Sequence, residues 1–163
     1  MKLNSVFVLV LLLPLINIAG GKGELLDPTT VQAGAGKVNG SLNIGDQHIE
    51  LKHAYAIKTR IGFMVLLTDD AIPKNTLQSL KQSLDRRLLK DIWGIFFTLD
   101  SSGKEGLFTM QYGSGFTGRG TDELAVLKWK TEKGRVIGEA KYPKDGDKSE
   151  KSFAVSFDAA IED

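Results

Sequence analysis

Two histidines are the first residues to consider as metal ligands or as a catalytic base. His48 and His53 lie five positions apart in a run with the apolar alternation of a β-strand. An odd spacing on one strand sends two side chains to opposite faces, so we expect no metal bound by both. His53 falls between Leu51 and Tyr55 on the apolar face, where a histidine is usually hydrogen-bonded within the core. If His53 has a function, this pattern places it with Tyr55 at a cavity inside the fold.

A glycine-rich segment, YGSGFTGRG at residues 112–120, contains the spacing GxGxxG. This spacing binds dinucleotides when it joins a strand to a helix inside a βαβ unit, and the flanking sequence shows no such unit. The segment is instead typical of a mobile hairpin loop. An aromatic residue and an arginine on such a loop are common recognition anchors, which makes Phe116 and Arg119 candidate ligand-binding residues. The alternative is that Phe116 folds back onto the core.

Carboxylates form two short groups, and neither has the spacing of an established motif. Residues 145–150 offer oxygen ligands at alternate positions but lack the glycine and final Glu of an EF-hand loop, which indicates a solvated turn. Asp69 and Asp70 are adjacent, so their side chains point apart, and a turn before Pro73 explains them. The chain has no cysteine and no serine in a GxSxG elbow. We therefore expect no metal, no cofactor and no catalytic residue.

Residues 1–21 have the layout of a secretory signal peptide. Lys2 precedes an apolar block at residues 6–18, and small residues follow at 19–21. The block is too short for a membrane span, which takes about 20 apolar residues. We expect cleavage after Gly21 and a periplasmic or extracellular protein. Residues 22–37 show no sustained period and predict a flexible leader, and residues 38–163 predict a single β-rich domain.

The charge balance limits the class of partner. The chain has 21 basic and 20 acidic residues, and loss of residues 1–21 removes Lys2 alone, leaving 20 of each. A neutral chain does not favour nucleic acid, which selects for a basic surplus. We expect a small molecule or a protein as partner, no nucleic acid, and no stable membrane span after signal cleavage.

Alternating and short apolar runs predict about eight strands. They are expected near residues 42–44, 47–58, 63–67, 95–99, 107–112, 124–130, 135–141 and 153–157. Gly45 and Asp46 predict a type II′ hairpin turn between the first two strands, and residues 47–68 are expected at the centre of the sheet. Residues 121–130 are also compatible with a helix that begins at Thr121. We favour a strand there because the apolar residues alternate.

One amphipathic helix is predicted after Pro73, with Asn75 as its N-cap and Gln78 completing a capping box. Its apolar stripe comprises Leu77, Leu80, Leu84, Leu88 and Ile92. Charges of both signs on the opposite face favour packing on the sheet over binding to a membrane surface.

The order of four motifs, LKHAYAIK, VLLTDDAIP, GRVIGEA and FAVSFDAAI, resembles that of a group of exported bacterial β-rich proteins without an established activity. The resemblance covers residues 38–161. It implies a β-rich secreted domain and a bacterial source, and it carries over no catalytic residues.

These patterns predict a mainly β protein, an antiparallel β-sandwich of about eight strands with one amphipathic helix packed on it. A small closed β-barrel is the alternative. The expected function is an exported, non-catalytic binding or interaction module, with His53, Tyr55, Phe116 and Arg119 as ligand-binding residues.

Two other functions stay open at this point. One is a periplasmic hydrolase in which the fold brings Asp69, Asp70 or Asp158 to His53. The other is a subunit whose partner pairs with an open sheet edge.

Overall fold

The structure is a computed structural model that describes residues 36–102, 106–144 and 149–162. The predicted signal peptide, the leader up to residue 35, and Asp145 and Asp147 of the predicted charged turn lie outside the described residues.

Ten strands, one α-helix and two 3₁₀ segments form the described part of the chain. The strands are β1 (Lys37–Ile44), β2 (Gln47–Glu50), β3 (His53–Lys58), β4 (Gly62–Thr68), β5 (Gly94–Asp100), β6 (Gly106–Tyr112), β7 (Gly115–Gly120), β8 (Val126–Glu132), β9 (Arg135–Tyr142) and β10 (Lys151–Glu162). The helix is α1 (Lys74–Ser83), and the 3₁₀ segments are Arg86–Leu89 and Thr121–Glu123.

Two antiparallel groups of strands are joined through β10. Strands β3 to β7 pair in chain order, and the second group has the order β2, β1, β10, β9, β8. One edge of β10 pairs first with β1 and then, in parallel, with β3, where Ala160 lies opposite Tyr55. The sheet curls there into a half-barrel. The predicted mainly β fold with a single helix is confirmed. The half-barrel is an architecture intermediate between the predicted β-sandwich and the alternative closed barrel.

The interior of the curl holds an apolar core to which both groups of strands contribute. On β10 the buried residues alternate along the strand as Phe153, Val155, Phe157 and Ala159. The Phe97 ring packs at 6.0 Å between centroids against Phe153. Each fully buried side chain of this size contributes about 1.5–3 kcal/mol to stability. This core holds the two groups of strands together.

The predicted strand at residues 47–58 is wrong as a single element. Leu51 and Lys52 separate β2, which pairs with β1, from β3, which pairs with β4 and β10. The chain passes from one group of strands to the other at this point. Strand β3 does lie at the centre of the sheet, as expected, whereas β2 lies at its edge.

Strand β3 is buried on both faces, not on one. Ala54 and Ala56 face the interior of the curl, while Tyr55 and Ile57 face the helix. Small alanines on the interior side leave room for the aromatic rings opposite. The apolar alternation at residues 53–57 therefore predicts the face of β3 that packs against the helix, and it does not reveal that the opposite face is also buried.

The helix begins and ends earlier than predicted. Its N-cap is Pro73 and no side chain caps it, so the predicted Asn75 cap is wrong. It ends at Ser83, because Leu84 takes a left-handed conformation with φ 52° and its N–H bonds to the Leu80 carbonyl. In the described residues no helix has the length and apolar character needed to cross a membrane.

The early end of α1 changes which leucines are buried. Leu77 and Leu80 pack on the sheet as predicted, but Leu84 and Leu88 are each 44% exposed. The 3₁₀ segment Arg86–Leu89 has a tighter repeat than an α-helix, and it turns Leu89 toward the core instead of Leu88.

The glycine-rich segment is a strand rather than a mobile loop, so that prediction is wrong. Gly113 and Ser114 form a two-residue turn, and β7 then pairs with β6 with Phe116 opposite Gln111. The GxGxxG glycines therefore do not precede a helix. The predicted β1–β2 hairpin is confirmed, with a positive φ at Gly45 as its turn requires.

Both interpretations of residues 121–130 hold in part. Thr121–Glu123 is a 3₁₀ turn, and the favoured strand follows it as β8.

Replacement of Leu84 by Gly should raise the free energy of unfolding by about 1 kcal/mol, because glycine adopts a positive φ without steric cost. Leu88→Gly is the matched control, since Leu88 is equally exposed but follows the helical conformation of its segment. Urea denaturation should show Leu84→Gly more stable and Leu88→Gly less stable than the parent. Equal losses in both variants would contradict the assigned strain.

Candidate functional site

A cleft of about 570 Å³ lies between the end of α1 and the β6–β7 hairpin. Its volume is in the range of ligand pockets, about 300–1,000 Å³. One wall comprises Leu84, Asp85, Arg86, Arg87 and Lys90, and the other side comprises Thr109, Gln111, Gly113, Ser114, Gly115 and Phe116. We call it the Arg86 cleft.

The floor of the Arg86 cleft is formed by two buried polar residues of β6. Thr109 and Gln111 are two positions apart on the strand and so share its outer face. The Arg86 guanidinium donates a hydrogen bond to Thr109 Oγ1, and Gln111 Nε2 donates one to the Leu89 carbonyl. These two bonds fix the 3₁₀ segment on the sheet. The cleft is therefore preformed.

The walls of the cleft expose apolar side chains. Phe116 is 73% exposed and Leu84 is 44% exposed. A second cleft of about 400 Å³, which also exposes Leu107, shares Arg86, Thr109 and Phe116 with the first. The two clefts thus adjoin at these residues, and together we call them the apolar groove beside the 3₁₀ segment.

The charges at the cleft are unevenly compensated. Arg87 forms an ion pair of 2.8 Å with Asp85, and its hydrogen bonds lower the pKa of that carboxyl. Neither Arg86 nor Lys90 has a carboxylate within 4.0 Å among residues 36–102, 106–144 and 149–162. The cleft therefore carries two uncompensated positive charges.

Two of the four predicted ligand-binding residues lie on this surface. Phe116 lines both parts of the groove, and Arg119 lines the second part. Arg119 forms an ion pair of 2.9 Å with Glu123, so its charge is already compensated. Of the two, Phe116 is the side chain that is free to contact a ligand.

The other two predicted residues do not form a cavity together. Tyr55 has no exposed surface, and its hydroxyl accepts a hydrogen bond of 3.1 Å from the Ile72 N–H. Burial raises the pKa of the Tyr55 phenol. His53 stacks at 6.5 Å on Tyr55 and is partly buried. Tyr55 is a core residue between the sheet and α1. The predicted cavity lined by His53 and Tyr55 is therefore wrong.

The described residues contain no hydrogen-bonded pair of His53 and a carboxylate, which the alternative hydrolase function requires. No carboxylate there makes a hydrogen bond to the His53 ring, and Asp69 Oδ1 instead accepts from the Trp93 N–H at 3.0 Å. Asp158 pairs with Arg135. His48 Nδ1 lies 2.7 Å from Asn43 Oδ1. Across the described ranges no group of three or more metal-ligating residues occurs.

A lysine from β10 holds the hairpin that carries Phe116. Lys151 Nζ donates to the Tyr112 hydroxyl at 2.9 Å and to Thr117 Oγ1 at 2.5 Å, and it lies 4.7 Å from the centre of the Tyr112 ring. The hydrogen bonds that the Tyr112 hydroxyl makes with Lys151 and with Thr117 lower the pKa of the Tyr112 phenol. Because Lys151 belongs to β10, it bonds the β6–β7 hairpin to the other group of strands.

Sequence reasoning missed most of this site. The apolar stripe predicts Leu84 on a buried helix face, whereas it is 44% exposed at the wall of the cleft, and no sequence pattern singles out Arg86. The one local signal was Thr109 and Gln111, two polar residues on one face of an otherwise apolar strand. Comparisons with protein-family models, with curated proteins and with solved structures gave no match to the chain.

Tyr55→Phe should lower the free energy of unfolding by about 1–3 kcal/mol, because the buried Ile72 N–H loses its acceptor. Tyr142→Phe is the matched control: Tyr142 is also buried, and no described residue bonds to its hydroxyl. Thermal and urea denaturation measure both variants. Equal, small effects would contradict the assigned hydrogen bond.

His53 should make the protein less stable in mild acid. Burial lowers the pKa of its imidazole below the ordinary value of 6.5, although Asp70 opposes this shift. Above pH 6.5 neither state binds the proton, so this contribution to stability is fully present. Below pH 6.5 the unfolded state binds a proton that the folded state takes up less readily, and stability falls.

His53→Gln should therefore reduce the difference in unfolding free energy between pH 7 and pH 5. His48→Gln is the control and should leave that difference unchanged. A His53 resonance that titrates above pH 6.5 by NMR would contradict this assignment.

Proposed function

We propose that this protein is an exported, non-catalytic binding module that holds a small ligand with an apolar part in the Arg86 cleft. The observation that carries the proposal is Leu84, a leucine in a left-handed conformation at the wall of the cleft.

The conformation of Leu84 is unfavourable for a leucine. Helices commonly end in this conformation with glycine, because a Cβ atom costs about 1–2 kcal/mol there. Leu84 recovers little of that energy by burial, since it is 44% exposed. Strain of this kind occurs preferentially at ligand-binding sites. A ligand that covers Leu84 would supply the missing burial.

Phe116 supports the same interpretation from the opposite side of the cleft. A phenylalanine that is 73% exposed on a paired strand presents a large apolar face to water. The Lys151 bonds to Tyr112 and Thr117 fix the hairpin behind it. A preformed site loses less conformational freedom on binding, which raises affinity.

Export is part of the proposal. The signal-peptide pattern at residues 1–21 and the resemblance to exported bacterial proteins support a periplasmic or extracellular location. The absence of cysteine is compatible with an oxidising compartment.

Strand β7 supports a second candidate, pairing with a strand of a partner protein. It ends the sheet path, and Arg119 is its one charged residue. The other long edge strand, β8, carries Lys128 and Lys130, which protect an edge against such pairing. The cleft is favoured because it has depth and an aromatic wall in addition to an open backbone.

Binding of the neutral fluorescent probe N-phenyl-1-naphthylamine tests the proposed site. Phe116→Ala and Leu84→Gly should each weaken binding about tenfold, since each removes roughly one apolar contact worth about 1.4 kcal/mol. Ile61→Ala is the control, because Ile61 is 63% exposed and does not line the groove. Unchanged binding in both cleft variants would contradict the proposal.

A further inference from the structure

We infer that the ligand of the Arg86 cleft is a single-chain amphipathic carboxylate, whose carboxylate binds Arg86 and whose apolar chain lies against Phe116 and Leu84. This inference rests on the proposed function and adds the chemical class of the ligand.

The uncompensated positive charge lies on one wall of the cleft. Among the described residues that line the cleft, Asp85 is the one carboxylate, and both of its oxygens already accept hydrogen bonds from the Arg87 side chain, at 2.8–3.1 Å. Asp85 is therefore engaged and does not neutralise Arg86. Lys90 adds a second positive charge to the same wall. An anion is the group that complements this wall, and a cation would be repelled.

The Arg86 guanidinium is held in place by a bond to the sheet. Its Nη1 donates to Thr109 Oγ1, and Thr109 is 5% exposed, so a buried residue orients the guanidinium. A guanidinium has five N–H donors, and this bond uses one of them. The remaining donors form a planar fork that matches the two oxygens of a carboxylate. Arg86 is thus positioned for bidentate binding before the ligand arrives.

Apolar surface lies on both sides of Arg86. The two parts of the groove share Arg86, Thr109 and Phe116, so the charge lies where they meet. Leu84 and Leu107 extend the apolar surface in the two directions. A small inorganic anion would leave this surface in water, and a neutral apolar molecule would leave Arg86 without a partner. A carboxylate at Arg86 with one unbranched chain along Phe116 and Leu84 pairs the charge and covers the apolar surface of the first cleft.

The test compares decanoate, decanol and decyltrimethylammonium on the protein recovered from an exporting host, by displacement of N-phenyl-1-naphthylamine and by calorimetry. Decanoate should bind at least about tenfold more tightly than decanol, because charge-assisted hydrogen bonds are stronger than neutral ones. The ammonium compound should bind most weakly of the three. Added salt should weaken the binding of decanoate and not that of decanol.

Substitutions identify the group that binds the carboxylate. Arg86→Gln should remove the preference for decanoate over decanol, and Arg86→Lys should retain part of it, because the charge stays and the planar fork is lost. Lys90→Gln should reduce the preference less than Arg86→Gln does. Because it leaves the Arg86–Thr109 bond intact, it also tests the charge if Arg86→Gln disturbs folding. Arg60→Gln, an exposed arginine outside the groove, is the matched control and should have no effect.

The outcomes separate this inference from the proposed function. Equal binding of decanoate and decanol, or a preference that survives Arg86→Gln and Lys90→Gln, overturns the carboxylate assignment and leaves the cleft as an apolar site. Loss of the preference in Arg86→Gln with unchanged binding in Arg60→Gln supports it. Failure of the neutral probe and of all three decyl compounds to bind overturns the proposed function as well.

Discussion

The structure depends on the pairing of β10 with three other strands. Its twelve residues bond to β1 and β9 along most of their length and to β3 at the end. Each half of the sheet alone would expose an apolar face, and β10 brings the two faces together around the phenylalanine core. The pairing of β10 with β3 is parallel in an otherwise antiparallel sheet. It joins the two halves of the sheet through residues more than 100 positions apart in sequence.

The candidate site depends on a smaller set of bonds on the outside of that sheet. α1 must end at Ser83 for the 3₁₀ segment to lie over β6, and Arg86 and Gln111 then bond the two together. A longer helix would carry Leu84 into the core and close the cleft. The conformation of Leu84 thus links the local strain to the shape of the Arg86 cleft.

Local patterns in the sequence predicted the elements whose partners are near in the chain or whose burial is one-sided. Gly45 predicted its hairpin because a positive φ is a local requirement, and the alternation at residues 153–157 predicted a strand, which is part of β10. Leu77 and Leu80 predicted the packed face of the helix. In each case the deciding physical property belongs to the residue itself or to its near neighbours.

The wrong predictions share a cause in pairing partners and contacts that the local sequence pattern does not reveal. Residues 47–58 divide into two strands because their pairing partners, β1 and β4, lie in different halves of the sheet. The glycine-rich segment becomes β7 because β6 supplies its hydrogen bonds, although glycine has a low strand propensity. The two hydrogen bonds at the Arg86 cleft, Arg86 to Thr109 and Gln111 to Leu89, join residues separated by 23 and 22 positions in the sequence. No short sequence motif could therefore reveal the cleft. Phe116 was visible to sequence reasoning because an exposed aromatic among glycines is unusual by itself.

The most direct test of the central claim is a two-dimensional NMR titration of the ¹⁵N-labelled protein with decanoate. The account predicts chemical-shift changes concentrated at residues 84–90 and 107–118, with the amides of Arg86 and Phe116 among the most affected. Changes concentrated instead around His48 and Trp93, which line a separate cleft, or spread evenly over the surface, would contradict the assignment of the Arg86 cleft as the ligand site.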